Sequence, residues 1–159
     1  MGKKEAKTNA IRILETMKIP YEARTYECDD FVDAAQIADK LGLDHAGMYK
    51  TITTVGKSGG YYVFVVPIDD EIDFKKAAKA AGEKSIEMLH LKDLTKVTGY
   101  IRGGCTSIGM KKQYPTVIQE CAANFDKVYV SGGRIGTTLC MAPEDLKKVS
   151  RAEYADFIQ

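Results

Sequence analysis

The sequence predicts an α/β (mixed α+β) domain, and three observations predict it. Amphipathic patterns of helical period end at glycines, short runs of β-branched and aromatic residues lie between turn-forming clusters, and a hairpin signal stands early in the chain. Hairpins interleaved with helices favour a curved, mostly antiparallel mixed sheet flanked by helices over a doubly wound parallel sheet. A chain of 159 residues suits one hydrophobic core, so residues 1–159 are read as one domain.

Each element has a local reason. Ala10, Ile13, Leu14 and Met17 share one helical face, and Ile19 and Pro20 close that pattern before an alternating strand over residues 21–26. Asp33 with Gln36 announces a second helix, whose apolar face is Ala34, Ile37, Ala38 and Leu41 and whose stop is Gly42. Residues 48–55 and 61–66 are two β-rich runs joined by the glycine and serine turn 56–60, a hairpin. Helical patterns return over 74–81, ended by Gly82, and over 91–98, ended by Gly99, with a short strand at 85–88 between them. Apolar β-like runs follow at 116–118, 128–131 and 138–141, and Pro143 opens a last short helix over Leu146 and Val149.

Composition excludes several classes. The 23 basic and 22 acidic residues nearly cancel, so no whole-molecule field draws the chain to DNA or an anionic membrane, and any RNA contact must use a local patch. The start lacks a signal-peptide apolar run and no later segment reads as a membrane helix, which points to the cytoplasm. Cys28, Cys105, Cys121 and Cys140 are scattered, and His45 and His90 stand alone, so neither a metal site nor a histidine-based catalytic array is expected, and no cofactor motif occurs.

The densest chemical signal is the segment from Thr98 to Lys112, which contains Arg102, Gly103, Gly104, Cys105, Thr106, Ser107, Ile108, Gly109, Lys111 and Lys112. Glycines let backbone amides approach an anion or a carbonyl where a side chain would obstruct. Such a loop can cradle a phosphate or build an oxyanion hole, or it can be a surface connection with tight turns. Lys50 lies inside a strand-like run, so its ammonium sits on a rigid element, either to bind a phosphate and polarise a carbonyl or to face water. A second glycine turn, Ser131, Gly132, Gly133 and Arg134, offers a hydroxyl, amides and a guanidinium suited to bidentate phosphate contact if it folds near the first. Cys105 as a nucleophile is the weaker reading, because no histidine lies nearby in sequence to activate it.

Several blocks in order carry a resemblance across nearly the whole chain. They are Lys7-Thr8-Asn9-Ala10, Tyr49-Lys50-Thr51, Val66-Pro67, Asp73-Phe74-Lys75-Lys76, Thr98-Gly99-Tyr100, Arg102-Gly103-Gly104, Ile108-Gly109-Met110-Lys111-Lys112, Pro115-Thr116-Val117-Ile118 and Ser131-Gly132-Gly133. With these blocks the sequence resembles the YbaK/EbsC family of aminoacyl-tRNA deacylases, related to the editing domain of bacterial prolyl-tRNA synthetases. The resemblance implies a mixed α/β fold with a curved sheet, and hydrolysis of tRNA(Pro) mischarged with cysteine, with Cys-tRNA(Cys) as a further substrate. It implies that Lys50 is the functional lysine and that Tyr26 and Ser131 belong to the pocket. Ser107 stands where many relatives have proline and Thr138 where some have aspartate, so no carboxylate role carries over to position 138.

An aminoacyl ester is already activated, so the enzyme need mainly position it and stabilise charge on the carbonyl oxygen. The expectation is that amides of residues 103–109, with Gly103 and Gly104 foremost, receive that oxygen while Lys50 holds the terminal nucleotide. Tyr26, Thr106, Ser107, Ile108, Gly109, Ser131, Gly132 and Arg134 are expected to contact substrate. Arg102, Lys111 and Lys112 are expected to touch tRNA, with prolyl-tRNA synthetase as a partner that presents it. The alternatives are a deacylase for another small amino acid such as alanine, and a non-catalytic tRNA- or nucleotide-binding module.

Overall fold

The computed structural model describes residues 7–26 and 34–159. Thirteen elements organise the site: α1 (Asn9–Thr16), β1 (Glu22–Thr25), α2 (Ala34–Leu41), β2 (Tyr49–Gly56), β3 (Tyr61–Pro67), α3 (Phe74–Ala81), β4 (Ile86–Met88), α4 (Leu94–Thr98), β5 (Thr116–Gln119), β6 (Val128–Ser131), β7 (Thr137–Met141), α5 (Pro143–Ser150) and β8 (Ala152–Ala155). The strands form two sheets, β1-β7-β6 and β4-β2-β3-β5-β8. The first is antiparallel throughout; in the second, β2 pairs antiparallel with β3 and β4, while β5 runs parallel to β3 and to β8. A parallel bridge between Met48 and Tyr129 joins the two, so the expected curved sheet takes the form of two sheets hinged at the start of β2.

Local chemistry explains the helices. Thr8 caps α1 by accepting from the Ile11 amide, and the Asp73 carboxylate accepts from the Lys75 and Lys76 amides at 2.9 and 3.1 Å to start α3. Pro143 opens α5 as its first residue. The pattern over 91–98 resolves into a 3-10 turn at Leu91–Asp93 followed by α4. The predicted cap Asp33 lies outside the described residues.

The central strand β3 shows why a continuous apolar run can be a strand. By alternation its inner face carries Val63 and Val65, and its outer face Phe64 and Val66, all completely buried. Val65 packs with Leu14, Ile118, Val130, Leu139 and Leu146 between the sheets, while Phe64 and Val66 pack with Ala77 and Ala78 of α3 and with Phe157 on the far side. Burying each of these large side chains contributes about 1.5–3 kcal/mol. A third cluster, Ile37, Ala38, Met48 and Ile68, seats α2 over the start of β2.

β8 has no counterpart among the predicted elements. Arg151 takes a left-handed conformation, φ 52°, and turns the chain from α5 into Ala152–Ala155, which pairs with β5 from Thr116↔Ala152 to Gln119↔Ala155. A four-residue strand with Glu153 and Tyr154 at its centre has no strong period of its own.

Candidate active site

The hinge between the sheets creates the site. On one edge β2 is fully registered against β3, from Tyr49↔Pro67 to Val55↔Tyr61. Among the described residues its other edge is held only at its ends: Met48 bridges to β6, and β4 pairs with Thr54, Val55 and Gly56. Between those attachments the sheets part around a cavity of about 760 Å3, lined by residues 49–53 along β2.

Five residues expected at the site meet in this cavity: Tyr26, Lys50, Arg102, Gly103 and Ser131. Lys50 is half-buried and its Nζ donates to the Ile68 carbonyl at 3.4 Å, which holds the ammonium at the end of β3. The Tyr26 amide donates to the Gly136 carbonyl at 3.0 Å, fixing that residue to the second glycine turn. Arg102 is exposed, and Thr137 and Thr138 of β7 complete the wall beside Ser131.

The two glycine turns do fold against each other. A Cβ on Gly104 would lie 2.7 Å from Arg134 Cα and 2.9 Å from its carbonyl carbon, so only glycine permits this backbone crossing. The N-terminus of α1 ties both turns together. Thr8 Oγ1 donates to the Gly132 carbonyl at 2.6 Å and Asn9 Nδ2 to the Gly109 carbonyl at 2.8 Å. Tyr100 adds a buried hydrogen bond from its hydroxyl to the Ile108 carbonyl at 2.6 Å, and burial pushes its pKa up to about 12.

This architecture redistributes the expected roles. Gly104, Thr106, Ser107, Ile108, Gly109, Gly132, Arg134, Lys111 and Lys112 do not line the cavity. Thr106, Ser107 and Ile108 are buried, and Ser107 shares a 2.7 Å hydrogen bond with Ser150 of α5. The Gly104 amide donates to the Ile101 carbonyl at 2.9 Å and the Ile108 amide to Thr106 Oγ1 at 3.4 Å, so neither is aimed at a ligand. Arg134 Nε donates to Thr137 Oγ1 at 3.0 Å, which draws the guanidinium toward β7. Lys111 and Lys112 are exposed, as a tRNA contact requires, and for the others the physical reason is that a loop packing two glycine turns together spends its polar groups inside itself.

Other cavity residues were not singled out by the sequence as site residues, among them Thr51, which lay in a family block without a role, Thr53, Ile37 and Leu91. Cys105 also lines it, with its thiol pushed up to about 11 by burial, the reverse of what an activated nucleophile needs. A smaller depression of about 270 Å3 lies beside His45, Asp69 and Cys121, away from the glycine turns.

Comparison with known proteins identifies the class. The model of the aminoacyl-tRNA editing domain family matches residues 28–149, and the chain belongs to that family. Among relatives, a candidate Cys-tRNA(Pro)/Cys-tRNA(Cys) deacylase of Enterococcus faecalis, EbsC, is 43% identical over 155 residues, covering 97% of this chain and 94% of that protein. Among solved structures, a candidate trans-editing enzyme for prolyl tRNA synthetase superposes with a TM-score of 0.84 at 21% identity, covering 98% of this chain and 99% of that one. A second, a hypothetical protein, reaches a TM-score of 0.86 at 21% identity over 95% and 99% of the two chains. These two share the fold.

Proposed function

We propose that this protein is an aminoacyl-tRNA deacylase that removes cysteine from mischarged tRNA(Pro), and from Cys-tRNA(Cys), acting in trans. The observation that carries this reading is the near full-length relationship, at 43% identity, to a chain named for that activity. The convergence of Lys50, Gly103, Ser131 and Tyr26 on one cavity supports it. A volume of about 760 Å3 exceeds what a cysteinyl group alone would occupy and leaves room for the ribose that carries it.

Lys50 holds the terminal ribose or phosphate, and its rigid strand places the ester. The substrate supplies the nucleophile. Its thiol, with an ordinary pKa of about 8.5, is partly ionised near neutrality. The sulfur adds to the ester carbonyl carbon, the carbon–oxygen bond to ribose breaks, and the ribose oxygen takes up the proton that the thiol released. The product is a four-membered thiolactone and free tRNA. Exposed Arg102, Lys111 and Lys112 supply a small, salt-sensitive contact to tRNA. Because that contact is small, prolyl-tRNA synthetase presents the substrate, and sedimentation that finds no ternary complex would remove the synthetase from this scheme.

A deacylation panel with alanyl, cysteinyl and prolyl esters on tRNA(Pro) tests the activity. The wild type is expected to prefer the cysteinyl ester. Lys50→Ala is expected to lower kcat/KM about 100-fold, equivalent to roughly 2.7 kcal/mol, without changing the melting temperature. Equal turnover of alanyl and cysteinyl esters would replace the thiol with water, and no release from any ester would sink the assignment.

A further inference from the structure

From the register of β2 we infer a contact made by its backbone: the aminoacyl group docks on Thr51 as an antiparallel, hydrogen-bonded β pair. The inference rests on the deacylase reading for the identity of the ligand, and on strand geometry for its place.

The geometry follows from parity. The Ile68 amide donates to the Met48 carbonyl at 3.0 Å and the Gly56 amide to the Gly60 carbonyl at 2.8 Å. Even-numbered residues of β2 therefore direct their backbone groups toward β3, and odd-numbered residues direct theirs to the opposite edge. The Leu89 amide, which reaches the Thr53 carbonyl at 3.2 Å on that opposite edge, confirms the phase. Thr51 thus points its N–H and C=O away from β3. Among the described residues no strand is registered against residues 50–52 on that side. The stretch from Tyr49 to Thr53 spans roughly 13 Å at about 3.3 Å per residue, and the cavity lies along it.

An unpaired donor and acceptor on one residue match what an aminoacyl ester carries. In an antiparallel hydrogen-bonded pair, two residues exchange both N–H···O bonds. The substrate's α-amino group donates to the Thr51 carbonyl, and the Thr51 amide donates to the ester carbonyl oxygen, where negative charge develops on attack. This supplies the donor that the self-satisfied glycine loop lacks at Gly104. The pairing also sets the substrate's side chain on the face of β2 that carries Thr51 and Thr53. There Thr53, 4% exposed, sets its hydroxyl beside the Cys105 thiol.

Thr51→Pro is the direct test, because proline removes an N–H that the β2–β3 ladder does not use. Deacylation of cysteinyl-tRNA(Pro) by full-length protein is expected to fall about 100-fold in kcat/KM, with an unchanged urea midpoint. Replacing Thr51 by its α-hydroxy acid through nonsense suppression removes the same N–H without restricting φ, and decides the matter if the proline variant does not fold. N-acetylcysteinyl ester on the same tRNA is expected to be at least tenfold poorer than the cysteinyl ester with wild type. A loss under tenfold in a folded variant, or equal turnover of the acetylated ester, would overturn the pairing. If wild type releases no cysteine the deacylase reading fails first. Binding of 3′-cysteinylamino-3′-deoxyadenosine then tests the pairing, with tenfold weaker binding by the α-hydroxy variant expected and equal binding overturning it.

Discussion

The glycine loop and the open edge of β2 border one cavity and are built in contrary ways. From Thr98 to Gly109 polar groups are spent internally: Thr98 Oγ1 donates to Leu94 O, Tyr100 OH to Ile108 O, and Gly104 N to Ile101 O. Along β2, among the described residues, no strand is registered against residues 50–52 on one edge, where Thr51 directs its N–H and C=O. Backbone groups on a cavity wall can exchange water for the donors and acceptors of a ligand. On the proposed reading the glycine-rich segment serves mainly as scaffold, with Arg102 and Gly103 on the cavity wall, and the plain-looking strand offers the contacts.

That contrast can be broken in graded ways. Gly104→Ala has the largest expected effect on stability. Its Cβ meets the Arg134 backbone at 2.7 Å, so the two turns must separate, at a cost of about 3 kcal/mol read as a fall in the urea midpoint. Lys50→Ala should show the opposite signature, activity lost and stability kept, and a shared signature would erase the distinction between scaffold and contact surface. Tyr100→Phe removes the donor to the buried Ile108 carbonyl and is expected to cost about 1–2 kcal/mol of stability by denaturant titration, leaving substrate KM within about twofold.

The smallest expected effect is at His45, which ties α2 to the end of β3. Its ring nitrogens lie 3.1 Å from Asp39 and 3.1 Å from Asp69, and hydrogen bonds first to Asp39 and then to Asp69 raise its pKa above 6.5. A raised folded pKa means the stabilisation is fully present below pH 6.5 and is lost as pH rises through the folded value. The stability difference between wild type and His45→Gln should therefore be greatest below pH 6.5 and shrink as pH rises above it. A difference that grows with pH would contradict the pairing. Because α2 carries Ala34, Ala35 and Ile37 on the cavity wall, the same range should show a small rise in KM.

Much of this was legible in the chain itself. The hairpin of β2 and β3, the stops at Gly82 and Gly99 and the Pro143 start are local events, written in neighbouring residues. Lys50, Gly103, Tyr26 and Ser131 were reached through family blocks, and they share the cavity. Thr51 stood in the block Tyr49-Lys50-Thr51 without a role and Thr53 in no block, because a threonine in a strand carries no mark of which edge its neighbours leave open. β8 escaped for a related reason, since its partner β5 lies far back in the chain and its own four residues have weak periodicity.

What the sequence by itself determined is therefore most of the elements with their turns, and the family to which the chain belongs, because these depend on short-range spacing and ordered blocks. Tertiary structure alone decided that β6 leaves β2 after Met48 and that β4 joins it only at Thr54. It also decided that Arg134 packs on Gly104 while Thr51 faces the gap. Strand pairing is a long-range competition for backbone hydrogen bonds, and the position where that competition has no winner is where a ligand fits.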